Sequence, residues 1–454
     1  MRSWIASCDR IQLVGLPAGV LLAALLGALV STHRPTTLAA VIALALIGII
    51  VVANPTMAIV VSVLGLALPI SGWGQSLGSE RTRLIAIVAL ASLGLFATWA
   101  RGTAVLSHKR IWPRAALLIG FLMVQVSTAA FPRPVAQRML EVTVALIVAG
   151  VTSWSIRYDE RSFERALGLI VGFMSAEAVL ASLQLILSRP LLMGGVLSET
   201  SQSEARNIGG YFRGIGTFYH ANGLALASAL TIPIALTLAR WPVNHRGFLR
   251  LLPTLILSAG IIASLSRAGI LALGLIAICM GAIALKTGRL LRLILVASLS
   301  LGLLFSVTPL RRATARFTSG EVNMRDQGAD RARAADLSAS FAAFRQNVLV
   351  GQGFGASAEE GIVFGGYPGQ GAHNAYLDFL EGGGIALATL FAFLILPLGR
   401  PWLKAWRCGD PLAFCLPLAC VYGLFESILQ GMYVVLLGIA LSTIYARYSA
   451  VSEQ

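Results

Sequence analysis

Charge is scarce in this chain: Asp, Glu, Lys and Arg together make up 12% of its 454 residues, about half the share found in soluble domains. With 57% hydrophobic residues beside it, that scarcity excludes a water-soluble fold. Charge-free runs of about 20 residues, each long enough to cross a hydrocarbon core, recur from end to end. Cysteine is rare as well. Of five, Cys279, Cys415 and Cys420 fall in apolar runs while Cys8 and Cys408 flank them, so no disulfide and no metal cluster are expected. Familiar catalytic signatures are missing too. The chain has no GxxxxGK[ST], HExxH or DxD motif, which argues against ATP hydrolysis, zinc hydrolysis and a metal-held nucleotide sugar. No cofactor is expected. Acidic residues number 20 against 35 basic ones, for a net charge of +15. The bases lie between apolar runs rather than in one patch, a distribution that speaks of membrane topology and not of nucleic acid.

What is present is a succession of spans. They are predicted near 11–30, 37–53, 55–70, 84–100, 115–131, 140–156, 166–187, 222–239, 248–263, 268–285, 290–308, 375–397, 411–426 and 431–446. Only Asn54-Pro55 separates the second from the third, so the expected fold is all-α: a polytopic integral membrane protein of 12–14 transmembrane helices. The first span follows Arg2 and Arg10 as an uncleaved signal anchor would. No internal repeat is evident. The chain divides into N-terminal transmembrane helices (1–187), a loop (188–221), central helices (222–308), a long loop carrying short helices (309–374) and C-terminal helices (375–454).

Basic residues orient the spans. With the N-terminus inside, nineteen of the 35 fall in cytoplasmic segments, against six in short outer loops: Arg34, Arg81, Arg83, Arg133, Arg138 and Arg267. Both termini are therefore expected in the cytoplasm and both long loops in the periplasm. Within the second loop, Leu337, Phe341 and Phe344 recur at helical spacing beside Arg331, Arg333 and Arg345. Such a helix can lie on the membrane surface or pack on its own domain.

Three polar features stand at the outer boundary. Tyr211-Phe212-Arg213-Gly214-Ile215-Gly216 runs on to His220 and Asn222, where a span begins. Ser264-Leu265-Ser266-Arg267-Ala268-Gly269 connects two spans tightly. Gly351-Gln352-Gly353-Phe354-Gly355 is followed by His373-Asn374-Ala375-Tyr376-Leu377 at the start of another span. Arginine suits a diphosphate because its planar fork donates paired hydrogen bonds and stays charged. Histidine titrates near neutrality, so His373 can take a proton from an attacking hydroxyl. Asn374 can cap the helix that follows. Each has a plainer reading: arginines also meet lipid headgroups, boundary histidines are often structural, and glycines let helices and loops pack closely. Glu177, in mid-span, is either a functional group or a buried carboxyl paired with a neighbouring helix.

In order and spacing, the segments around Arg213, Arg267 and His373 resemble the O-antigen ligase and O-antigen polymerase superfamily of bacterial membrane proteins. The matching features are Arg213 with Gly216 and Asn222, the Ser264–Gly269 turn with Ala268 interposed, and the Gly351–Gly355 and His373–Leu377 stretches with Glu381 to Leu387 beyond. The similarity covers about 205–445. The resemblance implies a metal-independent, inverting glycosyltransferase at the periplasmic face of the bacterial inner membrane. Its donor would be a glycan on undecaprenyl diphosphate, and its acceptor lipid A–core (ligase) or a growing polysaccharide (polymerase), including exopolysaccharide. By the same resemblance His373 would activate the acceptor and Arg213 and Arg267 would bind the diphosphate; Asn374, Asn222 and, from its mid-span position alone, Glu177 are the candidate supporting residues. The partners are then lipid-linked glycan, acceptor and membrane lipids. A polysaccharide transporter or flippase is the alternative of another class, but it would gather its polar groups near the midplane, where only Glu177 lies.

Overall fold

The computed structural model describes residues 35–67, 80–101, 111–189, 191, 207–208, 211–218, 221–239, 251–286, 323–356, 374–425 and 431–449. The predicted spans near 11–30 and 290–308 lie outside these residues. Each of the other twelve coincides with helix. They are α1 (Pro35–Ala53), α2 (Met57–Ala67), α3 (Glu80–Ala100), α4 (Trp112–Thr128), α5 (Pro132–Tyr158) and α6 (Glu160–Leu187). A two-residue hairpin, β1 (Asn207–Ile208) with β2 (Tyr211–Phe212), precedes α7 (Ala221–Leu238), α8 (Leu252–Ala263) and α9 (Arg267–Lys286). Then come α10 (Asn323–Gln346), α11 (Ala375–Ile395), the short α12 (Gly399–Cys408), α13 (Cys415–Tyr422) and α14 (Gly431–Tyr448). Six of these helices, α5, α6, α7, α9, α11 with its continuation to Cys408, and α14, are long and apolar enough to cross a membrane. The chain is a polytopic, all-helical membrane protein.

Chain breaks fall where side chains can close the helix ends. Asp159 divides α5 from α6 and its carboxylate accepts the Ser162 N–H at 3.2 Å, satisfying a donor that the first turn leaves open. The two helices continue past the charge-free runs: α5 begins at Pro132 and takes in Arg133 and Arg138, both expected in a loop, and α6 begins at Glu160. At this Asp159 end Arg101 donates to the Val52 and Ala53 carbonyls at 3.0 and 2.8 Å, closing α1. Asp410 accepts the Tyr448 hydroxyl at 3.2 Å and faces Arg447 at 3.7 Å.

Packing centres on α7, buried on all sides from Leu224 to Leu236 and ringed by α6, α8, α9 and α14. In hydrocarbon, helices gain from close approach rather than from leaving water, so small residues mark the contacts. Gly260 of α8 lies so near Ala178 of α6 that a β-carbon there would collide with it. The segment with Leu337 and Phe341 forms α10, which packs on α11. It buries Asp336, Ala339, Ser340 and Ala343, while Leu337 and Phe341 remain exposed.

α11 is broken at Gly384, whose φ is 59°. A break of this kind frees backbone donors and acceptors that no lipid can satisfy. The segment after α10 supplies the partners: Val348 and Leu349 carbonyls accept the Ile385 and Ala386 N–H groups, and the Gln352 and Gly353 N–H groups donate to the Glu381 and Gly382 carbonyls, all at 2.8–2.9 Å. The glycines of that segment let the two backbones touch; Gly351, at φ 68°, abuts Gly382 and Gly383. Gln125 of α4 bolts the joint. Its Nε2 donates to the Val350 and Gly382 carbonyls at 2.7 and 2.9 Å, and its Oε1 accepts the Phe354 N–H at 3.3 Å. Gln125→Leu takes this partner from the Val350 carbonyl and the Phe354 N–H. It should destabilise the protein by about 1–3 kcal/mol, read as a lowered thermal midpoint in detergent; an unchanged midpoint would show that the joint holds without its bolt.

Candidate active site

A loop that carries polar backbone into an apolar bundle must be held by side chains reaching out to it. α6 provides two. The Gln184 Oε1 accepts the N–H groups of Ile215 and Gly216, each at 2.9 Å, and its Nε2 donates to the Gly216 carbonyl at 2.8 Å. Glu177, two turns deeper, accepts the Thr217 N–H at 2.7 Å and the Thr217 hydroxyl at 2.8 Å. Gly214 packs against the Ala181 carbonyl between them, where a β-carbon would not fit, and its N–H donates to Ala263 at 2.9 Å. The loop after the hairpin therefore sinks between α6 and α8. Glu177 lies ten residues from the end of α6, roughly 15 Å of helix. Its carboxylate serves this loop rather than a neighbouring helix.

Arg213 stands at the loop's rim. Its Nε donates to the Ser264 carbonyl at 2.9 Å, and its Nη2 reaches Asn222 Oδ1 at 3.3 Å and the Leu265 carbonyl at 3.5 Å. One guanidinium thus ties the first motif to the second. The turn it grips is tight: Leu265 is buried at a left-handed φ of 49°, a conformation that disfavours any residue with a β-carbon. The Ser264 hydroxyl accepts the Ser266 N–H at 3.2 Å, and the Ser266 hydroxyl accepts the Gly269 N–H at 3.1 Å, capping α9. Arg267 is the first residue of that helix and is exposed.

The third motif joins through Tyr422. Its hydroxyl donates to the Asn222 carbonyl at 2.7 Å, while the next residue, Gly423, accepts the Ala375 N–H at 2.8 Å. Asn374 caps α11, its Oδ1 accepting the Tyr376 and Leu377 N–H groups at 3.0 and 3.1 Å, and its Nδ2 donates to Leu424 at 3.3 Å. A hydrogen-bonded path thus runs from Ser264 through Arg213, Asn222 and Tyr422 to Asn374. It gathers the starts of α7, α9 and α11 at one end of the bundle, opposite Asp159. Helix N-termini carry positive potential, and Arg267 adds a full charge. His373 and His220 lie outside the described residues; the chain places His373 directly before the Asn374 cap.

Sequence reasoning passed over Gln184, Gln125 and Tyr422. Their available signal was a lone polar group inside an apolar run, which in a membrane needs a partner. Replacing Glu177 with Ala leaves the Thr217 N–H without its acceptor, so hydrogen–deuterium exchange across Gly214–Phe218 should speed up by an order of magnitude or more, about 1.4 kcal/mol of opening energy. Exchange as slow as in the parent would mean that Gln184 alone seats the loop.

The model of the O-antigen ligase family fits residues 252–392, roughly a third of the chain. That stretch includes the Ser264–Gly269 turn, Arg267, the Gly351–Gly355 segment and the start of α11. No curated protein and no solved structure matches. The matched stretch carries two of the three motifs, and the path through Arg213 binds them to the remaining one. The segment 252–392 is thus similar to the O-antigen ligase family.

Proposed function

We propose that the protein transfers a glycan from undecaprenyl diphosphate to an acceptor hydroxyl on lipid A–core, at the periplasmic face of the inner membrane. The observation that carries this reading is the convergence of α7, α9 and α11, with exposed Arg267, at the end of the bundle that holds all three motifs. A diphosphate suits that end: positive helix termini favour anions, and a guanidinium bonds two phosphate oxygens at once. Arg267 takes the diphosphate. Arg213 has a double role, because its Nε and Nη2 already hold the Ser264–Leu265 turn. It places Arg267 while adding its own charge.

The reaction is one direct displacement. His373 accepts the proton of the acceptor hydroxyl as that oxygen bonds to the anomeric carbon. The bond from that carbon to the diphosphate oxygen breaks, and undecaprenyl diphosphate leaves with its extra negative charge spread beside Arg267. The configuration inverts. Asn374, the next residue in the chain after His373, caps α11.

The test is transfer by the purified, reconstituted full chain given an undecaprenyl-diphosphate glycan and lipid A–core. Arg267→Ala should slow transfer by about 10²–10³-fold, the effect of removing one charge-stabilising donor, and His373→Ala should do so at least as strongly. Full-rate transfer by folded, donor-binding forms of both variants would refute the mechanism. Sidedness has its own check. Single cysteines at positions 210 and 370 should react with an impermeant maleimide added outside spheroplasts, and protection of both would turn the molecule over.

A further inference from the structure

The bundle also holds a cavity. α4, α5, α11 and α14 line a partly open space of about 150 Å³. α11 packs on α4 and α14 packs on α5, so the space lies between α11 and α14. Phe354, Phe379 and Val434 line it towards the Arg267 end, and Trp112 and Tyr445 towards the Asp159 end. From Val434 to Tyr445 is eleven helical residues, roughly 16 Å. It is therefore long and narrow and runs along the helices. No charged residue lines it; serines Ser153 and Ser442 and the Tyr445 ring, all near the Asp159 end, are its few polar neighbours. Water gains little in such a place, because it needs two or more polar partners. Hydrocarbon regains the dispersion contacts that the lining would otherwise lack.

Which hydrocarbon belongs there follows from where the space ends. Val434 lines it, and the preceding residue, Tyr433, sets its hydroxyl where a β-carbon on Gly223 would lie. Gly223 adjoins Asn222, the partner of Arg213. That end of the space and the arginine path are thus on two sides of the same turn of α14, about one helix diameter of 10 Å apart. A lipid with a phosphate-rich head and one long flexible chain spans that step. A two-chain phospholipid would have to leave one chain outside.

We propose that this cavity seats the first stretch of the prenyl chain of the diphosphate-linked donor, with the diphosphate around the turn of α14 at Arg267. The inference rests on the Arg267 end being a diphosphate site. It assigns a chain-binding subsite to α4, α5, α11 and α14, two of which, α4 and α5, lie wholly before the matched stretch 252–392.

The full chain in nanodiscs is irradiated with a benzophenone-bearing polyprenyl diphosphate lacking glycan, and separately with phosphatidylglycerol carrying a diazirine on an acyl chain. Crosslinked peptides are then sequenced. The prenyl probe should mark Leu146–Gly150 of α5 and Val434–Gly438 of α14. Excess phosphatidylglycerol should not displace it, and Ala149→Phe, which fills the cavity, should abolish the mark. Prenyl label confined to other helices, or these two segments marked by the acyl probe alone, overturns the proposal, and labelling of the parent protein is sufficient to decide this if Ala149→Phe does not fold. His373→Ala separates the two questions. Persistence of its prenyl mark bears on the cavity, whereas its transfer rate bears on the reaction.

Discussion

Inside a slab of hydrocarbon, backbone that leaves a helix has no water to bond to, and each abandoned amide or carbonyl must find a partner within the protein. Among the described residues, the loop from Arg213 to Thr217 and the break at Gly384 leave their helices, and both are held by buried polar side chains on neighbouring spans. Gln184 and Glu177 serve the loop through five hydrogen bonds. Gln125 serves the break through three. Amides suit this work because one side chain offers both a donor and an acceptor. The carboxylate at Glu177 meets two donors, an N–H and a hydroxyl. Remove these side chains and the apolar packing is little altered, but the irregular segments lose what permits them.

Rigidity at the motif end follows from this. The loop is anchored below by α6 and gripped above by Arg213, whose other contacts lie on the strained Ser264–Leu265 turn. Leu265 at a left-handed φ persists because its surroundings determine it more strongly than its own preference does. Such strain next to an exposed arginine is the arrangement expected where a charged group must be presented in one direction. The break in α11 does a related job on the other side, setting the angle of the half-helix that Asn374 begins.

Much of this could be read from the residues in order. The apolar runs correspond to helices throughout the described chain, and Asn54-Pro55 does separate α1 from α2. Helix ends were less legible. α5 starts at Pro132 rather than near 140 and α6 at Glu160 rather than near 166, because a hydropathy pattern stops at the first charge whereas a helix continues through it. The three motifs could be assigned to one end of the bundle, yet not the depth to which the first sinks. That depth depends on Glu177 meeting Thr217 and on Gln184 meeting Gly216, pairs 40 and 32 residues apart. The Gln125 contacts span more than 200 residues. No local pattern encodes such pairings. A lone glutamine in an apolar run announces that it needs a partner without saying which.

α10 turns Leu337 and Phe341 outward, while Asp336 and Ser340 lie inward beside Ala339 and Ala343. The neighbouring Val348, Leu349 and Val350 are exposed as well, so the apolar surface continues past the helix end. Solvent quality therefore acts on this region differently from the rest of the molecule. A detergent belt just tall enough for the long spans would leave that surface facing water, and extracted molecules would adhere to one another through it. The breadth of the amphiphile collar, as much as the stability of the bundle, governs whether the protein stays dispersed outside its membrane.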